Sequence, residues 1–169
     1  GSLLHAVNHS LAKAMLFLTA GAILAATGTK RIREIRGLAS TRPLTAALWI
    51  AGFLAITGSP PFGTFLSELA ILKAAVDAGQ YATAFAFVAL LTVIFVAMMD
   101  LFLKMVQGPS GSQEPGGDGQ ARHAGPEPLA ALASPLLLGL GVLALGIVLP
   151  EMLRLVIMVA AATITGGFS

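Results

Sequence analysis

Apolar residues run almost unbroken through several stretches of this chain, and the polar residues gather between them. The first stretch covers about residues 3–26. At 1.5 Å per residue it is long enough, as a helix, to cross the roughly 30 Å hydrocarbon core of a bilayer. The polar segment TGTKRIREIRGLASTR follows, with room for one turn of interfacial helix. Pro43 is suited to the first turn of the next helix, about 43–58, because a missing N–H costs nothing there. That helix stops at Gly58-Ser59-Pro60-Pro61-Phe62-Gly63, a strong breaker cluster. The next apolar piece, about 64–78, is too short to span comfortably. Asp77-Ala78-Gly79-Gln80 interrupts it before a full apolar helix at about 81–106. The pieces 64–78 and 81–106 read as halves of one broken element. Interrupted apolar segments point to ion sites in transporters, because non-helical backbone at membrane depth must line a cavity or be buried in protein.

The remainder divides further. Residues 108–127 are polar and rich in Gly and Pro, and read as a flexible extramembrane loop. An apolar helix is expected at about 128–150, with Pro135 tolerable near its start. The tail, 151–169, is apolar again, with Glu151 and Arg154 at its head. It either spans or lies at the interface. The expected organisation is therefore a domain at 1–107, a loop at 108–127 and a helix plus tail at 128–169. The fold class is all-α, a polytopic transmembrane bundle of four to five helices.

Composition reinforces this class. The chain of 169 residues is 56% hydrophobic and only 11% charged, against about 25% charged in soluble domains. A soluble helical bundle is thus a remote alternative. The absence of cysteine removes disulfides, thiolate zinc sites and cysteine-held iron–sulfur clusters. The one basic cluster, Lys30, Arg31, Arg33 and Arg36, has no interleaved aromatics, so nucleic acid is not an expected partner. It reads as a topology and headgroup anchor on the cytoplasmic side. The slightly acidic 108–127 loop, expected on the same side, does not add to that signal. The chain opens inside a helix without an initiator Met, which suggests a piece of a longer subunit; a cloning scar at Gly1-Ser2 is the other explanation.

Candidate chemistry sits on the first helix. His5, His9 and Lys13 are spaced i, i+4, i+8, about 6 Å apart per step on one stripe. A cation inside a membrane helix costs at least about 2.5–3.5 kcal/mol on insertion scales, so such residues usually face wet cavities or mark ion paths. Histidine titrates near neutrality and lysine responds to its surroundings, so the stripe suits proton or cation conduction. The plainer reading is that the histidines hydrogen-bond neighbouring helices. A metal site is disfavoured, since Lys13 would repel the ion and no carboxylate is near in sequence.

Glu68 follows the breaker, flanked by Phe65, Leu66, Leu69 and Ile71. A carboxyl in such a setting can hold and release a proton; the plainer reading is a carboxylate favoured by a helix N-terminus. Lys73 and Asp77, and Asp100 and Lys104, are i, i+4 pairs. Each pair is either the outlet of a polar path or simply an ion pair near the interface. No role is assigned to His123.

The string HAVNHSLAKAMLFLTAGAI, the loop TK-x-I-x-x-I-x-GL and the run AITGSPPFGTFLSELAIL resemble the antiporter-like proton-pumping membrane subunits of respiratory complex I, group 4 hydrogenases and Mrp-type antiporters. PPFGTFLSE looks most like the hydrogenase-4 component F branch. The resemblance covers about residues 1–107. It implies a bundle of two inverted repeats, each with a broken helix, of which this chain is the back end of the second. It also implies that His5, His9 and Lys13 lie on the family's H-x-x-x-H-x-x-x-K helix. Glu68 falls at the broken-helix position that is Lys or Glu, depending on the branch. A further Glu–Lys pair in the family's first repeat has no counterpart here.

The expected function is proton translocation for a redox complex of the hydrogenase-4, formate hydrogenlyase or NADH:quinone type. Lys13 is the central carrier, His5 and His9 the relay, and Glu68 the exchange site with one side. The alternatives are a cation/proton antiporter module, and a non-conducting structural piece. No cofactor and no redox site are expected in the chain itself. Expected partners are other membrane subunits, a peripheral redox arm, the lipid bilayer, and protons or Na+. The expected location is the inner (plasma) membrane.

Overall fold

The structure, a computed structural model, describes residues 2–107, 129–147, 155, 158 and 159. The readings made for the 108–127 loop, for His123 and for the head of the tail at Glu151 and Arg154 lie outside these residues. The described residues form an all-α bundle. Helix α1 is Ser2–Thr27, followed by a 3₁₀ turn at Ile32–Glu34 and a short helix α2, Leu38–Thr41. Helix α3 is Pro43–Ile56, α4 is Gly63–Asp77, α5 is Tyr81–Val106 and α6 is Leu129–Ile147. Among the described residues α1, α5 and α6 are long and apolar enough to cross a membrane, and the chain is a multi-pass membrane protein.

Each boundary has a local cause. Pro43 opens α3 at its first turn. Ile56 ends it, because Gly58 adopts φ 65°, in the left-handed region where a Cβ is penalised. The α3 helix has 14 residues and α4 has 15, so they rise only about 21 and 22 Å. Neither is long enough to cross the core alone, and the breaker joins them.

This corrects the reading of 64–78 and 81–106 as one broken span. Helix α5 has 26 residues and is a full span by itself. Gly79, at φ 71°, turns the chain back between α4 and α5. Phe65, Glu68, Leu69 and Leu72 of α4 consequently share a cavity wall with Phe87, Val88, Leu91 and Phe95 of α5. Collinear helices would hold Glu68 and Leu91 about 35 Å apart. The break between two helices that are each too short to span is the 57–62 segment, between α3 and α4.

The helices pack around α1 and α6. Asn8, Ala12, Met15, Thr19 and Ile23 make the buried face of α1, recurring at three- and four-residue steps as one helical stripe. Ala12, Ala55, Phe62 and Val142 form a small core where α1, α3, the breaker and α6 meet. Trp49 stacks on Phe102 with ring centroids 4.4 Å apart, in a larger core with Ile23, Ile35, Leu38, Phe53 and Met105. The basic segment is tied down at this end. Arg36 Nη1 donates to Lys104 O at 3.0 Å, placing a cation at the C-terminal end of α5, where it complements the helix dipole.

Within that segment, the Thr29 hydroxyl and then the Arg31 guanidinium hold the Glu34 carboxyl below the usual carboxylate range. A depressed folded-state pKa means that Glu34's contribution is fully present above the ordinary value of 4.5 and is lost as pH falls through the lowered one. Protection against hydrogen exchange at residues 29–35, taken relative to the intrinsic rate at each pH, is therefore expected to fall on acidification through that window. Glu34→Gln should remove the acid step, and an unchanged acid step in the variant would show that other groups set it.

Candidate functional site

The stripe of His5, His9 and Lys13 lies one residue on from the buried face of α1, about 100° around the helix. It therefore borders the packed side and opens into a cavity of about 480 Å³. His5, His9, Lys13, Leu16 and Phe17 of α1, Ile56 and Thr57 at the end of α3, Glu68 of α4, and Leu91, Ile94 and Met98 of α5 line it. Residues far apart in the chain, among them His5 and Glu68, thus face one space. Lys13 is on its exposed side and Glu68 is only 8% exposed.

The rings of His5 and His9 are 5.4 Å apart between centroids and tilted by 32°. The i, i+4 spacing on a regular helix is sufficient to place them so. His5 Nδ1 is 3.1 Å from Ser67 Oγ, and the Ser67 hydroxyl donates to Thr64 O at 2.7 Å. His9 Nδ1 is buried with no hydrogen-bond partner.

Glu68 stands on a wall common to two cavities. The second, about 320 Å³, lies between the breaker, α4 and α5, and also includes Thr57, Gly58, Ser59, Pro60, Leu72 and Thr92. Thr57, Glu68 and Leu91 line both. Gly58 touches the Glu68 carboxylate so closely that a Cβ there would fall on its oxygens. The left-handed glycine that ends α3 therefore also makes room for the acid.

The breaker is held in place by small polar groups that the sequence reading passed over. Asn8 is fully buried, and its Nδ2 donates to Gly63 O at 2.9 Å. The Thr64 hydroxyl donates to Ala55 O, across the break. The Thr64 bond satisfies a backbone carbonyl of the last turn of α3, freed where the helix is interrupted, and the Asn8 bond ties α1 to the first residue of α4. The available signal for Asn8 was its own cost: an amide buried in an apolar helix needs a partner.

Lys73 and Asp77 form an exposed ion pair at 2.6 Å, as do Lys104 and Asp100. None of the four lines either of these cavities. The structure thus brings His5, His9, Lys13 and Glu68 together and leaves the other two pairs on the outer surface of the chain.

Residues 1–94 match the family described as NADH:quinone oxidoreductase/Mrp antiporter, transmembrane. The chain is 31% identical over 156 residues to NADH-quinone oxidoreductase subunit N of Desulforudis audaxviator, covering 87% of this chain and 30% of that protein. It is 38% identical over 116 residues to a hydrogenase-4 component F homolog of Methylacidiphilum infernorum, covering 69% of this chain and 23% of that one. Among solved structures, that of the Mrp complex from a Dietzia species superposes with a TM-score of 0.70 at 30% identity, covering 88% of this chain and 34% of the matched chain. The chain thus spans about a third or less of the proteins it resembles. On its helices, its broken α3–α4 element and these matches, the chain belongs to the NADH:quinone oxidoreductase/Mrp antiporter family of transmembrane proteins.

Proposed function

We propose that this chain carries the outer half of a proton path through a membrane complex, with Lys13 as the central carrier, His5 and His9 as relay groups, and Glu68 as the site that exchanges protons with one side. The single observation that carries this reading is the convergence of all four on one cavity. Apart from Thr57, that cavity's other lining side chains are apolar. Charges with so few alternative partners interact strongly in such surroundings, so a proton gained by one favours its loss by another. The second cavity gives Glu68 a space away from the relay, which suits a terminal exchanger.

The relatives support the remaining components of this reading. The NADH-quinone oxidoreductase and hydrogenase-4 matches favour a redox-driven pump in the inner (plasma) membrane, with further membrane subunits and a peripheral redox arm as partners. Oxidation chemistry would then belong to those partners. The Mrp likeness supports a second reading, cation/proton antiport with the same residues. Na+ gradients distinguish the two: antiport acidifies or alkalinises vesicles on a Na+ pulse without any electron donor.

The test is proton translocation by inverted vesicles carrying the full parent complex, with assembly and electron transfer followed in parallel. Lys13→Ala is expected to lower translocation about a hundredfold, the range in which a positioned proton-transfer group contributes, with assembly intact. Unchanged translocation in this variant would leave the stripe as a packing device.

A further inference from the structure

The hydroxyl of Ser67 has a single proton, and two groups compete for it. Thr64 O is 2.7 Å from Ser67 Oγ, and His5 Nδ1 is 3.1 Å away on the other side. Were the hydroxyl to donate to His5, two lone-pair oxygens would face each other at 2.7 Å in a fully buried position, with no proton between them. Donation to Thr64 O removes that repulsion, and 2.7 Å is the usual length of an O–H···O bond. The 3.1 Å contact then fits an N–H···O bond from His5 to a Ser67 lone pair. Counted this way, the neutral ring of His5 carries its proton on Nδ1.

We propose that Ser67 is a positioning residue for His5: it fixes the ring in the Nδ1–H form and leaves Nε2 as the ring's one basic nitrogen. The inference rests on the relay reading of the previous section. In a relay, His5 must take a proton at a nitrogen with a free lone pair. With Nδ1–H committed to Ser67, each proton that reaches His5 forms its new N–H bond at Nε2, and the same bond breaks when the proton leaves. The imidazolium keeps its Nδ1–H···Oγ bond throughout, so charging His5 breaks no contact with α4. Ser67 also precedes Glu68 on that helix. One residue of α4 therefore orients the relay and the next exchanges its protons, which ties the geometry of the α1 stripe to the broken element.

The experiment is ¹⁵N solid-state NMR of histidine-labelled full-length protein in its complex in bilayers, with His5 identified by the signals lost in His5→Gln. Ring nitrogen shifts distinguish Nδ1–H from Nε2–H. Wild type is expected to show the Nδ1–H form. Ser67→Ala should shift the tautomer ratio about fivefold, the factor that one net hydrogen bond provides, and should slow proton translocation. Ser67→Thr, which keeps the hydroxyl, should restore both. An Nε2–H signal in wild type, or a ratio unchanged in Ser67→Ala, overturns the proposal. A changed ratio with normal translocation in Ser67→Ala, beside a loss in Lys13→Ala, overturns the positioning role while the relay stands. If Lys13→Ala itself translocates normally, the relay reading fails, and the tautomer measured in wild type still decides whether Ser67 orients the ring.

Discussion

Replacing Glu68 with Gln is expected to stop net proton translocation, by about a hundredfold or more, while the complex assembles and transfers electrons normally. Gln is nearly isosteric and keeps polar contacts, but it cannot titrate, so the substitution separates charge from shape. The site makes the effect large because Glu68 is the acidic side chain on both cavity walls. Nothing else on the shared wall, Thr57 and Leu91, exchanges protons near neutral pH. A companion variant tests position instead of chemistry. Gly58 has φ 65° and lies against the carboxylate. Gly58→Ala adds about 1–2 kcal/mol of backbone strain and drives a methyl group into the acid. It should leave Glu68 ionisable but displaced, so that translocation falls partially where Glu68→Gln abolishes it. Equal, wild-type rates in both variants would remove Glu68 from the path.

The charged part of this site was legible in the chain because charge is conspicuous in an apolar helix. His5, His9 and Lys13 needed only the helical repeat to be placed on one stripe, whereas the breaker before Glu68 left a helix-start carboxylate equally open and the family resemblance favoured the exchange reading. Their convergence on a single cavity was not legible, since it depends on how α4 and α5 fold against α1. The misread break shows why. Gly58 to Gly63 and Asp77 to Gln80 both read as interruptions, and composition does not reveal which one continues the membrane crossing and which reverses it. The structure separates them by the packing of Leu69 and Leu72 alongside Phe87 and Leu91. Asn8, Thr64 and Ser67 were missed for a different reason. Small polar side chains are tolerated in membrane helices by bonding their own backbone, as Thr19 does to Met15 O and Thr57 to Phe53 O. Only the partner distinguishes such self-bonding from the cross-helix bonds Asn8 to Gly63 and His5 to Ser67.

The second large effect is expected at Gly146, far from the site in sequence. A Cβ on this residue of α6 would meet Pro61 O, Gly63 N and Phe62 C, all backbone atoms of the breaker. A clash with a flexible side chain is relieved by rotation, but backbone against backbone requires one element to move. Gly146→Ala should therefore cost about 1–3 kcal/mol of stability, the range for overpacking. Gly141, on the same helix, has open space where its Cβ would go. Gly141→Ala should be neutral, or stabilising by up to about 1 kcal/mol through helix propensity. Thermal unfolding of the purified complex compares the two directly. The functional consequence distinguishes a local clash from a displaced breaker. Gly63 accepts the Asn8 bond and starts the helix that carries Ser67 and Glu68, so pushing it away from α6 moves both groups relative to the α1 stripe. Translocation per assembled complex should fall in Gly146→Ala and hold in Gly141→Ala. If the two variants behave alike in both measurements, α6 does not brace the break, and the geometry of Glu68 is set by α1, α3 and α5 alone.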